Sequence, residues 1–283
     1  MTITGHTRVF LILGDPIDQV QAPALFNALF RRHGVDAVLV PAQVAAADLS
    51  AFAAQALKAR NIDGLWLTIP HKTSMMAVLD RCDRLGTVAG AVNAARRNPD
   101  GAIEGGLFDG LGFVKALDHF GVPIAGQRVL QVGVGGAGMA IAASLGQRGA
   151  GDLQLFDPAP GRAAAAARRV SQAFGIEAAA APSGDPAGFD LVINATPLGL
   201  QADDPLPIDV ARLDRDSVVV DILMKHHTTP LLRACQARGI TAHAGHEMLV
   251  QQAPDYLSFF GYPEIASAVQ ADLSAVRSLL LAA

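Results

Sequence analysis

Short apolar runs alternate along this chain with longer segments whose apolar positions follow a helical period. Strand-like runs occupy 9–13, 37–41 and 64–69; helical segments occupy 24–33, just after Pro23, and 45–59. Pro70 ends the third strand, and 74–79 begins another helix. Such alternation predicts parallel strands with helices on their faces. The cluster Gly105-Gly-Leu-Phe-Asp-Gly110 marks a connection, followed by a helix over 111–120. A second series of strands begins near Val129 and continues at 152–157, 190–194, 217–221 and, more briefly, 241–244. The alanine run 163–167 reads as helix, and no internal repeat is present. From Glu247 onward no strand pattern remains, so these helices are expected to pack back on the first half.

The most informative segment is 129–146. β-branched and apolar residues lead into Gly133, Gly135 and Gly138, spaced G-x-G-x-x-G, and an alanine-rich stretch without charge follows as far as Arg148. This is strand, tight turn and helix N-terminus. Gly133, Gly135, Gly136, Ala137 and Gly138 would let the backbone approach a diphosphate, whose charge the helix's first N–H groups and dipole stabilise. The next strand ends at Asp157, about 20 residues past the glycines, where an acid accepts hydrogen bonds from a ribose. A carboxylate there repels a 2′-phosphate, so Asp157 argues for NAD over NADP. Arg162 nearby is either a phosphate contact or a solvated charge in the first turn of a helix.

At 283 residues, the chain is expected to form two domains with ample core. With 51% hydrophobic and 17% charged residues it is globular rather than disordered. The net charge of −4 without a basic run gives no footprint for nucleic acid. The early apolar run is too short for a signal peptide, and the uncharged window at 129–147 fits a buried strand and helix better than a membrane span. Cys82 and Cys235 have neither metal-ligand nor disulfide spacing, as expected in a reducing cytoplasm. His71, His226, His227 and His246 form no ligand pattern and are read as structural, with no metal expected; His246 is also a candidate pocket residue. Monomer and homodimer are both compatible with this composition.

Several motifs then carry a resemblance. Gly14-Asp-Pro-Ile, Thr68-Ile-Pro-His-Lys72, Gly90-Ala-Val-Asn93, Asp109-Gly-Leu-Gly112, Asn194-Ala-Thr-Pro-Leu-Gly199, Thr229-Pro-Leu-Leu232 and Gly245-His-Glu-Met-Leu-Val-Gln-Gln252 fall in the order and spacing of the shikimate/quinate dehydrogenase family. The resemblance implies an α/β enzyme of two domains. Residues 1–108, completed by 247–283, would hold substrate; 109–246 would be a Rossmann-type domain for NAD or NADP, with a closing cleft between them. The substrate would be a small ring alcohol or acid. Lys72 and Asp109 match the family's catalytic pair. Hydride transfer at a secondary alcohol leaves a hydroxyl proton to be moved, and a partly dehydrated lysine beside a carboxylate can move it. Without the resemblance, Lys72 reads as a surface lysine and Asp109 as a helix N-cap. Asn93, Thr68 and Gln252 match positions that contact substrate hydroxyls, and Asn194, Thr196 and Pro197 match the loop beside the nicotinamide ribose. Their plainer readings are a turn former, a strand residue, an exposed helix polar and a strand-end turn.

The departures all remove polar groups. Where the family carries two serines that bind a carboxylate, this chain has Val20 and Ala22; Ala94, Leu107, Phe108 and Met224 replace a threonine, an asparagine, a threonine and a tyrosine. Losing two donors to a charged group weakens carboxylate binding by about 3–6 kcal/mol, on the order of 10²–10⁴-fold. The expected substrate is therefore a ring alcohol or ketone related to shikimate or quinate, with shikimate itself poor, unless Gln19, Gln21 or a shifted loop supplies the missing donors. The rivals are an ordinary shikimate dehydrogenase with a compensated pocket, another two-domain enzyme such as a methylene-tetrahydrofolate dehydrogenase, and a non-catalytic NAD-binding sensor. Retention of Lys72 and Asp109 argues against the sensor, and the Asp109-Gly-Leu-Gly112 motif with the Met-Leu-Val-Gln-Gln tail argues against the other enzyme.

Overall fold

The computed structural model describes residues 2–201, 203–224 and 228–281. Two compact units emerge, one formed by 1–108 with 252–283, the other by 109–251.

The first unit contains β1 (Arg8–Gly14), α1 (Ala22–Arg32), β2 (Ala37–Gln43), α2 (Leu49–Ala56), β3 (Ile62–Leu67), α3 (His71–Ser74), β4 (Arg81–Cys82), α4 (Arg84–Ala89), β5 (Ala94–Arg97) and β6 (Ile103–Gly106). Its six strands are ordered β2-β1-β3-β5-β6-β4. The expected parallel arrangement holds for β2, β1 and β3, but β5 runs antiparallel to both β3 and β6. Nothing in Ala94-Ala-Arg-Arg97 favours a strand by propensity; pairing on both sides makes it one. β5 and β6 are joined through Asn98-Pro-Asp-Gly101, where Gly101 takes a φ of +91°.

Helix bounds also shift. α1 starts at Ala22, two residues early, because Pro23 is tolerated in a first turn whose N–H groups have no helical partner. The helix expected over 45–59 shrinks to α2. The helix expected from Ser74 starts at His71, directly after Pro70, and tightens into a 3₁₀ turn at Met75–Val78.

The second unit contains α5 (Asp109–Phe120), β7 (Arg128–Val132), α6 (Gly136–Gln147), β8 (Asp152–Phe156), α7 (Arg162–Phe174), β9 (Glu177–Ala180), β10 (Leu191–Asn194), β11 (Val218–Asp221), α8 (Pro230–Ala237) and β12 (Thr241–Ala244). The sheet is wholly parallel and ordered β12-β11-β10-β7-β8-β9, the doubly wound order with its switch point between β7 and β10. Its central strands are continuous apolar runs such as Val218-Val-Val, as burial on both faces requires. β9, an alanine-rich edge strand, had no legible pattern.

α9 (His246–Phe259) begins in the second unit and ends in the first, which α10 (Pro263–Ala271) and α11 (Ser274–Leu281) complete. Aromatic contacts tie this segment to the first unit. Phe260 stacks on Trp66 at 4.1 Å between ring centroids and meets Phe10 edge-on at 5.1 Å, while Tyr256 stacks on Trp66 at 5.3 Å. Truncating one such buried ring costs about 3–5 kcal/mol. Among the described residues, no helix is long and apolar enough to cross a membrane.

Candidate active site

In the first unit the candidate residues gather along one sheet edge. Leu13 pairs with Leu67, Trp66 with Ala94, and Ala94 with Gly106, so the chain following β1, β3 and β6 and preceding β5 lies on a common side. Thr68, Asn93 and Leu107 are the residues immediately beyond those strand ends. Thr68 is half-buried and donates its N–H to the Leu13 carbonyl at 3.0 Å.

Asn93 is fully buried and is the hub of the edge. Its Oδ1 accepts the Phe108 N–H at 2.9 Å, and its Nδ2 donates to Gln252 Oε1 at 3.4 Å. Its carbonyl accepts from the Leu67 N–H at 2.8 Å and from the Tyr256 hydroxyl at 3.4 Å. Gln252 is 2% exposed, so it is not the solvated helix residue that its position in a polar pair allowed. Tyr256 and the Phe108 N–H carry no sequence signal for this role, since only the fold brings them to Asn93.

Lys72 sits half-buried in the single turn of α3. Its carbonyl accepts the Val92 N–H at 2.9 Å, and the preceding His71, fully buried, bonds through Nε2 to the Val44 carbonyl at 2.8 Å. A carbonyl only accepts, so Nε2 carries a proton and donates it to the Val44 carbonyl, and His71 tethers the turn. The Lys72 backbone is therefore held from both sides while its side chain extends from a short turn.

Phe108 is 8% exposed and meets Tyr256 edge-on at 5.1 Å. Val20 and Ala22 are half-buried at the entry to α1, whose N-cap, Gln21, makes no side-chain capping bond. Asp83 caps α4 through the Gly86 N–H at 2.5 Å and also accepts the Leu107 N–H at 2.9 Å, fixing the chain just before Phe108. Burial raises its carboxyl above the usual range against these two donors.

Asp109 opens the second unit as the first residue of α5 and is 5% exposed. The next residue, Gly110, lies so close to α6 that a Cβ there would come within 2.1 Å of the Ala140 carbonyl, which fixes the start of α5. A single peptide bond separates Asp109 from Phe108, itself anchored on Asn93.

The glycine turn after β7 is built as the motif requires. Gly133 has a φ of +99°, and a Cβ there would meet the Ala195 carbonyl at 2.6 Å; one on Gly138 would meet the Gly133 carbonyl at 2.3 Å. Gly135 faces open space, with nothing within 4 Å, and Gly136 and Ala137 follow half-buried in the first turn of α6. Gln131, a buried polar residue inside β7, donates to the Gly133 and Gly138 carbonyls at 2.9 and 2.8 Å and holds the turn shut. The cradle at Gly135 and the uncapped helix N-terminus fit the diphosphate of a dinucleotide.

Asp157, just after β8, has a 5% exposed side chain that accepts the Val134 N–H at 2.9 Å and the Ala159 N–H at 2.9 Å. It thus braces the glycine turn. Arg162 lies 3.4 Å from that carboxylate with a side chain 55% exposed, so it pairs with Asp157. At the end of β10, on the other side of β7, buried Asn194 donates to Asp221 at 3.0 Å and accepts the Thr196 N–H and hydroxyl at 3.0 and 2.6 Å. Asp221 also accepts from the Thr229 hydroxyl at 2.6 Å, and burial raises its carboxyl although Thr229, the Leu223 N–H and Asn194 pull it down. This network shapes the loop of Thr196 and exposed Pro197; Met224 is half-buried beyond β11. Among the described residues no group of three or more His, Cys, Asp or Glu side chains could hold a metal ion. His226 and His227 lie outside the described residues, and His246 is half-buried at the start of α9.

Residues 12–95 match the family model for the shikimate dehydrogenase substrate binding domain. The shikimate dehydrogenase (NADP(+)) of Acidiphilium cryptum is 38% identical over 284 residues, covering 96% of this chain and 99% of that protein. Quinate dehydrogenase from Corynebacterium glutamicum, solved in complex with NAD, is 29% identical, with a TM-score of 0.84 over 98% of this chain and 99% of that one. The ligand-free 5-ketofructose reductase of Gluconobacter sp. strain CHM43 is 26% identical, with a TM-score of 0.85 over 98% and 99%. With the motifs, the doubly wound nucleotide unit and these relatives in agreement, this chain belongs to the shikimate dehydrogenase family of NAD(P)-dependent oxidoreductases acting on a CH–OH group.

Proposed function

We propose that this enzyme moves a hydride between NAD(P) and a secondary alcohol or ketone related to shikimate or quinate, on a substrate that owes little binding to a carboxylate. The observation carrying this reading is the contrast along one sheet edge. The Asn93–Gln252 pair and the Lys72 turn are kept and rigidly supported, whereas the positions expected to meet a carboxylate present carbon at Val20 and Ala22. Gln19 does not compensate in this conformation, since its amide donates to the Pro16 carbonyl at 2.9 Å.

When bound, the nicotinamide takes or returns the hydride. Lys72 takes the hydroxyl proton during oxidation and returns it during reduction, and the Asp109 carboxylate holds and tunes the amine. Thr68, Asn93 and Gln252 orient ring hydroxyls. Asp157 at the strand end favours NAD, and its pairing with Arg162 leaves that guanidinium compensated rather than offered to a 2′-phosphate.

The similar structure named 5-ketofructose reductase supports a carboxylate-free substrate, because that name denotes an uncharged sugar ketone. The 38% identity to a protein named shikimate dehydrogenase (NADP(+)) favours a second reading, in which shikimate is the substrate and the pocket is compensated. Steady-state assays separate the two: shikimate and quinate oxidation and 5-ketofructose reduction, each with NAD and NADP cofactors, beside Lys72→Ala. The proposal expects poor shikimate turnover, better turnover of an uncharged ketone or polyol, and loss of both in the variant. A shikimate kcat/KM of about 10⁴ M⁻¹s⁻¹ or more would establish the second reading instead.

A further inference from the structure

At the sheet edge opposite Thr68 and Asn93, the first unit carries a hollow of about 660 Å³ with Arg8, Arg60, Arg96, Arg97, Asp63 and Phe260 in its wall. Arg8 opens β1, and Arg97 closes the antiparallel β5. Along β1 from Arg8 to Gly14, six residue steps put the two edges roughly 20 Å apart. The hollow is thus separate from the candidate active site.

Its charges are unevenly matched. Arg8 is held by Asp63 at 2.7 Å, and Arg96 by Glu104 at 2.9 Å and by the Phe259 carbonyl and ring. Asp100, on the rim, is engaged by Arg81 at 2.8 Å. Arg60 and Arg97 are exposed at the same hollow, and no carboxylate among the described residues pairs with either. A chain with a net charge of −4 therefore places two uncompensated guanidinium groups in one concavity, beside two others already fixed in position. Guanidinium forks bind phosphate and carboxylate oxygens in bidentate fashion, and the volume suits a metabolite-sized ligand.

We propose that this hollow is a second ligand site, specific for a small polyanion presenting phosphate or carboxylate oxygens, with Arg60 and Arg97 as its principal contacts. The protein supplies its own reporter: Trp66 is the single tryptophan, and it stacks at 4.1 Å on Phe260, which lines the hollow.

The test titrates the whole enzyme with inorganic pyrophosphate and, separately, with succinate, at constant ionic strength. NAD is kept saturating, so that the glycine turn is already filled. Tryptophan emission and calorimetry are read together. The expected result is saturable binding of at least one probe at one site per chain, weakened about tenfold or more in Arg60→Ala/Arg97→Ala. A control of equal charge change, Arg31→Ala/Arg32→Ala on α1, should leave the affinity within about twofold, and neither variant should alter kcat/KM. Pyrophosphate alone binding would identify a phosphate site, and succinate alone a dicarboxylate site. Absence of saturable binding by both methods, or equal weakening in the control, would overturn the proposal.

Discussion

Replacing Val20 and Ala22 together by serine would return two hydroxyl donors to the entry of α1. The structure suits the change. Ala22 is the first residue of the helix, both side chains are half-buried, Gln21 makes no capping bond, and no acidic residue occupies the first turn. A hydrogen bond to a carboxylate contributes about 1.5–3 kcal/mol, so two give an upper figure of about 3–6 kcal/mol. Ordering each hydroxyl and losing part of the Val20 methyl burial reduce this to roughly 2–4 kcal/mol. The expected gain in shikimate kcat/KM is therefore on the order of 10²-fold. The carboxylate is remote from the reacting carbon, so the gain should enter through KM with kcat nearly constant. The assay follows cofactor reduction with shikimate, beside reduction of an uncharged sugar ketone, which should not improve. A shikimate gain below about fivefold in a variant of unchanged melting temperature would refute this account of the pocket, as would a gain expressed in kcat alone.

Gly138→Ala drives a Cβ to 2.3 Å from the Gly133 carbonyl, so the turn must open; calorimetry should show NAD binding weakened about tenfold or more. Both thiols are pushed up to about 11, chiefly by burial, with Asp83 adding to Cys82 and Asp221 to Cys235. Near pH 8.5, where an ordinary thiol is half ionised, the native protein should react with a thiol reagent far more slowly than the denatured chain, and a rapid native equivalent would contradict the burial. Burial also raises the Asp221 carboxyl, so the folded protein keeps that proton to higher pH than the unfolded chain does. Stability from this group is greatest below the unfolded pKa and falls as pH rises through the folded one. Asp221→Asn should flatten that slope in urea denaturation from about pH 4 upward, and parallel curves for the two proteins would refute it.

The parts of the fold legible in the sequence are those fixed by local chemistry. Strands buried on both faces must be apolar throughout, and the turn after β7 must be glycine-rich, so the nucleotide unit could be read almost strand by strand. β5 and β6 escaped because alanine, arginine and glycine become a strand only through their neighbours. The same holds for the site. Lys72 and Asp109 stand in motifs, but the burial of Asn93 and Gln252, and their meeting across 159 positions of sequence, is a property of packing. Asp157 was legible as the strand-end acid; its bond to the Val134 N–H, which braces the turn, was not.

The first unit is closed by residues that come last in the chain. Phe260 and Tyr256 fill the aromatic core around Trp66 and Phe10, while 109–251 form an uninterrupted unit between the two halves of the first. During synthesis from the N-terminus, the second unit has all of its sequence before the first does. Until α9 emerges, the face of β3 bearing Trp66 lacks its covering rings. Buried Asn93 likewise lacks Gln252 and the Tyr256 hydroxyl until then. A nascent chain of this protein therefore acquires its doubly wound unit before the sheet edge at Asn93 is finished, and the interval between them is when it most needs protection from aggregation.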